Sequence, residues 1–246
     1  MTTSPPAGRP GEEISSYLHA HKMFLESLAS TSDTLPVPAC PGWDVHDLVA
    51  HQVHQLRAAC EGDFPVLDSM AAISAPDPDE RARALARQEK WIASGLQERR
   101  ATSVGVLIAQ WETIEADAPA IVLAALAPDI AVHLFDLLGA SGSTSHRDDP
   151  IVVAALRFWA PFAIDLVQRE AKHQLCLLVD SGQEPREAIG DGGAEFVVAG
   201  TPFELLRTVT GRRSIDQAVG LTWKPRNDDV IERFSVYGWR PGRLDE

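Results

Sequence analysis

A chain of 246 residues, 45% hydrophobic and 23% charged, can bury one large core or two small ones and has the balance of an ordinary globular protein. Its formal net charge of −13 excludes a general nucleic-acid-binding surface, which needs a basic footprint, but leaves room for a small anionic substrate held by a local pair of arginines. No apolar run approaches the roughly 20 residues that span a bilayer, so no membrane partner and a cytoplasmic location are expected.

The N-terminus, "MTTSPPAGRPGEE", has no hydrophobic signal core and reads as a flexible leader over residues 1–11. From Glu12 to Ala29 a first helix is expected, because Ile14, Tyr17, Leu18, Leu25 and Leu28 recur at helical spacing. Pro36, Pro38 and Pro41 then forbid regular structure. A second helix starts near Asp44, with Asp47 three residues on in a capping arrangement, and runs to about Cys60. A third follows "SAPDPDE", with Pro78 in its first turn and Leu85, Trp91, Ile92 and Leu96 along it. A fourth runs from about Ala118 to Leu138 and stops at Gly139. Four helices joined by loops predict a helix bundle over residues 12–140.

The stretch "GASGSTSHRDDP" (139–150) is the clearest linker. Beyond it the chain reads as a small α+β domain over 150–246. One helix spans Ile151 to Arg169, kinked at Pro161. Strands are expected in "QLCLLVD" from Gln174, "EFVVAG" from Glu195, "LTW" from Leu221 and "ERFSVYGW" from Glu232. "TPFELLRTVTG" between them is a short helix with Thr201 as cap, Pro202 at its first position and Gly211 as stop. The fold class is therefore α+β.

Cys40, Cys60 and Cys176 are odd in number and widely spaced, which argues against a disulfide framework or a thiolate zinc site, and each reads as a small buried or half-buried residue. The chemistry-bearing residues are histidines and aspartates. On the fourth helix, Asp129 and His133 share a face four residues apart, and His133 falls within the stripe of Val122, Leu126, Ile130 and Leu137. That pair is half of a metal site or a core histidine held by an aspartate, and periodicity alone favours the second reading. On the second helix His51 flanks the stripe of Val45, Leu48, Val49, Val53, Leu56 and Cys60. His54 points nearly opposite, into solvent, and His46 lies in the first turn. Together, His51, Asp129 and His133 would supply two nitrogens and one carboxylate, leaving a fourth position open as catalytic zinc requires. Asp136, three residues after His133, is placed to orient that imidazole or to lie in solvent.

At these residues the sequence resembles a known family. "PGWDVHDLVAH" (41–51) resembles the PGW-x-V-x-DLVAH signature of the mycothiol-dependent maleylpyruvate isomerase-like proteins, and "DIAVHLFDLLGA" (129–140) resembles their second signature. "FVVAGTPFELLRTVTGRRSID" (196–216) is similar to their C-terminal domain, of sterol-carrier type. The resemblance implies an N-terminal DinB-like four-helix bundle whose metal ligands fall on His51, Asp129 and His133. The family's isomerase has Glu where this chain has Asp129, a shorter reach.

The implied function is a metal-dependent isomerase or transferase using mycothiol or a similar low-molecular-weight thiol. Zinc is the foremost metal, with nickel or another first-row ion also suited to the ligands. The metal-bound thiol of the cofactor would be the nucleophile, with no protein nucleophile assigned. Arg212 and Arg213 in "TGRRS", reaching toward an interdomain cleft, are the candidates for an anionic substrate, although surface charge at a turn explains them as well. Arg81, Arg83 and Arg87 in "DERARALARQ" read as a solvated face. Trp43 reads as a large residue pinning the loop to the bundle. Two other functions stay open: a non-catalytic metal- or ligand-binding regulatory module, and a metal-dependent hydrolase of thiol conjugates.

Overall fold

Asp44 starts the helix on which the site depends. Its side chain accepts from the Asp47 N–H at 2.9 Å, and the Asp47 carboxylate takes the Asp44 N–H at 3.4 Å, so two orphan donors of the first turn are satisfied. A cap of this kind stabilises a helix by about 1 kcal/mol. Gly62 closes the same helix in the left-handed region at φ 75°, where a side chain would be strained. The computed structural model describes residues 10–63, 77–182 and 186–246. Its described residues divide into two compact units, 10–144 and 145–245, the boundary falling inside "GASGSTSHRDDP".

The first unit is helical. Among its described residues are α1 (Pro10–Leu28), α2 (Val45–Glu61), α3 (Pro78–Arg99), α4 (Val104–Asp117) and α5 (Ala120–Ala140). α1 lies against α5, and α2 packs on α3, α4 and α5. Phe24, Leu48, Leu56, Leu107, Trp111, Ile130, Leu134 and Leu137 are buried between them. Each such side chain withdrawn from water stabilises the fold by about 1.5–3 kcal/mol. The leader expectation fails at its end, since Pro10 and Gly11 are already helical, while residues 1–9 lie outside the described residues. The bundle also holds a helix the sequence reading missed. α4 buries Val104, Leu107 and Trp111 at helical spacing, behind Ser103. α5 does not stop at Gly139 but runs through Ala140 to a cap at Ser141, and the left-handed position falls on Gly142 at φ 73°.

α5 also corrects the expectation about apolar runs. It and α6 (Pro150–Glu170), each of 21 residues, are long and apolar enough to cross a membrane by length and composition. Yet 72% of the most apolar stretch of α5 and 50% of that of α6 is buried inside the fold. A helix apolar on every face is what the centre of a large bundle requires.

Among its described residues the second unit contains α6, a four-stranded sheet and three short helices. The strands are β1 (Leu175–Val179), β2 (Glu187–Gly190), β3 (Phe196–Gly200) and β4 (Thr222–Lys224), in the order β2-β1-β3-β4. β1 and β3 are parallel, with Cys176 opposite Val197, while β2 and β4 pair antiparallel with β1 and β3 respectively. The helices are α7 (Pro202–Val209), α8 (Ile215–Val219) and α9 (Asp228–Glu232). Thr201 caps α7, accepting from the Glu204 N–H at 3.3 Å, and Gly211 takes the left-handed position beyond its end at φ 77°. α6 continues through Pro161.

Two strand assignments need correction. "ERFSVYGW" is not a strand: Asn227 caps α9 by accepting from Asp229 and Val230, and the chain turns again at Gly238. Phe234 and Val236 are buried all the same, Phe234 edge-on to Trp223 with ring centroids 5.2 Å apart, so their alternation reflects a packed loop. β2 was missed because "EAIG" is a short outer strand with only partial burial and a glycine at φ 106°.

Candidate metal centre

The capping box sets the phase of α2, and with Val45, Leu48, Val49 and Leu56 drawn into the core, His51, Gln52 and Gln55 are buried with them. α5 is buried on nearly every face, so Asp129, His133 and Asp136 must find polar partners inside the bundle. They find them at α2. One ligand atom from each of His51, Asp129 and His133 lies within 4.8 Å of the others. The two imidazoles sit edge to face, centroids 4.9 Å apart, and His133 Nε2 is 3.7 Å from Asp129 Oδ1.

Asp136 accounts for how His133 is held. It is fully buried, and its Oδ2 accepts from His133 Nδ1 at 2.8 Å and from the Cys40 thiol at 3.3 Å. With the proton held on Nδ1 by a carboxylate, the Nε2 lone pair is the one turned toward Asp129 and available to a cation. On the other side of the site, Asp129 Oδ2 accepts from Gln52 Nε2 at 3.1 Å and Gln55 Nε2 at 3.0 Å, and Gln55 Nε2 also contacts His51 Nε2. Trp43 lies against both imidazoles. Its ring is 5.0 Å from that of His51 and 6.1 Å from that of His133, nearly parallel to the latter at 17°.

Two buried imidazole nitrogens, one on a ring oriented by a carboxylate, and the carboxylate of Asp129 suit zinc or another first-row divalent metal. Two neighbouring groups have similar spacing. Cys40, His133 and Asp136 converge on the far side of the same imidazole, where the hydrogen bonds just described employ them. Asp44, His46 and Asp47 also converge, but their carboxylates form the α2 cap and His46 Nε2 is 2.7 Å from Thr102 O. Nearby, Trp111 Nε1 donates to the Tyr17 hydroxyl at 2.9 Å, and burial pushes the Tyr17 phenol well above its ordinary pKa. That phenol stays neutral.

Other predicted positions are placed elsewhere. His54 is not in solvent. It is half-buried against α3, its ring 4.2 Å from that of Trp91, and a Cβ on Gly95 would come within 2.2 Å of it. Burial, joined by the Arg99 charge, lowers its pKa. Arg213 is buried and bidentate on Glu204 at 2.8 and 2.9 Å, while Arg212 donates to Thr210 O at 2.7 Å. Burial alone would raise the Glu204 pKa, but the Arg213 hydrogen bonds and the charges of Arg213, Arg147 and Arg207 outweigh it and hold the carboxyl below its ordinary value. Arg83 faces Asp77 at 3.6 Å on an exposed surface, and Arg87 is exposed.

Gln52, Gln55 and the Cys40 contact with Asp136 were not anticipated. The signal for Gln52 was present: it lies between Leu48 and Leu56 on the buried face of α2, a polar side chain within an apolar stripe.

No family model and no curated protein sequence matches this chain. Two solved structures do. One is a histidine-to-alanine mutant of the mycothiol-dependent maleylpyruvate isomerase, with a TM-score of 0.54 at 15% identity, covering 89% of this chain and 95% of that one. The other is the mycothiol-dependent maleylpyruvate isomerase, with a TM-score of 0.50 at 14% identity and the same coverage. The chain shares the fold of that isomerase over nearly its whole length.

Proposed function

We propose that this protein is a metal-dependent enzyme of thiol-cofactor type, an isomerase or S-transferase, that holds a divalent metal, foremost zinc, through His51, Asp129 and His133. The observation that carries the reading is the meeting of those three donors within 4.8 Å, with His133 Nδ1 engaged by Asp136 so that Nε2 is presented. The likeness in fold to a mycothiol-dependent isomerase supports a mycothiol-type thiol as the co-substrate. A divalent metal in such a site lowers the pKa of a coordinated thiol, making a thiolate available at neutral pH.

The protein's own residues position and enclose. Trp43 covers the two imidazoles, the glutamines fix Asp129, and Asp136 fixes His133. Burial pushes the Cys60 and Cys176 thiols up, which disfavours either as a nucleophile and accords with a nucleophile that arrives on a cofactor. Arg212 remains our candidate for an anionic substrate, whereas Arg213 is buried and its guanidinium is committed to Glu204.

One observation favours a second reading, a non-catalytic binding module: His51, Gln52, Gln55 and Asp129 already satisfy one another by hydrogen bonds. The test is turnover of a cis-configured α,β-unsaturated dicarboxylate by zinc-loaded protein, with and without a low-molecular-weight thiol. Thiol-dependent isomerisation or thioether formation, lost in His133→Ala, is expected. Cleavage of an amide or thioester conjugate without added thiol would point to a hydrolase, and no turnover of either kind to the binding module.

A further inference from the structure

In the three-donor reading Gln55 only shares with Gln52 the holding of Asp129. It follows His51 by one turn on α2, as His133 follows Asp129 by one turn on α5, so two pairs with the same spacing meet where the helices pack. Its side chain is buried, and its amide touches donor atoms of two of the three metal-site residues: Nε2 contacts His51 Nε2 and lies 3.0 Å from Asp129 Oδ2.

An amide donates from one end and accepts at the other, and half a turn of its terminal torsion exchanges the two with little change of shape. Facing an imidazole lone pair and a carboxylate oxygen, the N–H end is favourable, because its hydrogens take the place of positive charge. A divalent cation among the same donors reverses the preference, repelling the N–H end and attracting Oε1. Asp129 does not depend on Gln55 alone for its orientation, since Gln52 Nε2 holds the same oxygen at 3.1 Å.

We propose that Gln55 is a fourth protein donor to the metal, turning over its amide on loading to present Oε1 beside His51, Asp129 and His133. This rests on the metal reading above and extends it. A neutral amide oxygen is a weaker donor to zinc than imidazole or carboxylate, so of the four it would be the one most readily given up to a thiol. The fourth position would then be held by a neutral group at rest, with the charge of the protein ligands set by Asp129 alone.

The experiment is zinc affinity by chelator competition, together with the visible spectrum of the cobalt(II)-loaded protein, on wild type, Gln55→Leu, Gln55→Glu and His51→Ala. Gln55→Leu is expected to bind zinc about 10- to 100-fold more weakly and to alter the cobalt bands as water replaces the amide. Gln55→Glu keeps an oxygen donor and adds charge, so it is expected to bind zinc at least as tightly as wild type. It carries the test even if the leucine variant fails to fold. Unchanged affinity and spectrum in Gln55→Leu, or weaker zinc binding in Gln55→Glu, would overturn the assignment. Loss of zinc in His51→Ala beside full affinity in Gln55→Leu defeats this inference alone, whereas no zinc in wild type defeats the metal reading with it.

Discussion

Asp136 is the residue through which the orientation of His133 can be tested without touching a ligand. It is fully buried, and its Oδ2 takes both the His133 Nδ1 proton at 2.8 Å and the Cys40 thiol at 3.3 Å. Asp136→Asn keeps the shape and an acceptor for Nδ1 but removes the charge. A hydrogen bond to a charged group contributes about 1.5–3 kcal/mol and a neutral one about 0.5–1.5 kcal/mol, so the loss is about 1–1.5 kcal/mol. If that difference is felt at Nε2, zinc affinity falls about tenfold. Asp136→Ala goes further, leaving a buried N–H without its acceptor, and is expected to cost about 1–3 kcal/mol of metal-free stability as well. Chelator competition for zinc and the thermal melt of the metal-free protein separate the two effects. If Asp136→Ala binds zinc as tightly as wild type, His133 is not presented by Asp136 and the argument for its tautomer fails.

Two further predictions concern residues outside the ligand set. The folded-state pKa of His54 is lowered by burial and Arg99, so the unfolded chain takes up that proton first as the pH falls. The associated stability is present above the unfolded pKa of about 6.5 and is lost as the pH falls from there toward the folded value. The melting temperature of wild type should therefore fall relative to His54→Gln below about pH 6.5, and a constant difference between pH 8 and 5 would refute it. Arg213→Gln removes the two bonds that hold Glu204, which is 41% exposed, and should destabilise by about 1–2 kcal/mol after allowance for solvent screening. Arg212→Gln should instead raise KM for an anionic substrate with little change in melting temperature. Equal melting temperatures for wild type and Arg213→Gln would contradict the first part, and an unchanged KM the second.

Most of the architecture could be read from local patterns. The Asp44–Asp47 cap, Pro78 and Pro202 at first turns, and the β-rich runs from Gln174 and Glu195 are properties of a few adjacent residues, and the elements form there. What escaped depends on partners distant in the chain. His54 faces away from the main stripe of α2 and is covered by α3, whose Gly95 leaves room for the ring. "ERFSVYGW" alternates as a strand does, but no neighbouring strand pairs with it, and Val236 N–H donates to Val209 O at 2.9 Å instead. α4 was legible in principle, since Val104, Leu107 and Trp111 keep helical spacing, but exposed Val106 blurs the stripe. In the site, spacing along each helix brought out His51, Asp129, His133 and Asp136. The glutamines became visible only once α2 lay against α5, because an amide looks unremarkable until its acceptor is known.

The central claim is that His51, Asp129 and His133 hold a metal. Its most direct test is metal content by elemental mass spectrometry on wild type, His51→Ala and His133→Ala, purified identically without a histidine tag. Near-stoichiometric zinc, or another first-row metal, in wild type and its loss from both variants is the predicted result. Wild type that takes up no metal after incubation with zinc, or variants that retain it in full, would contradict the claim.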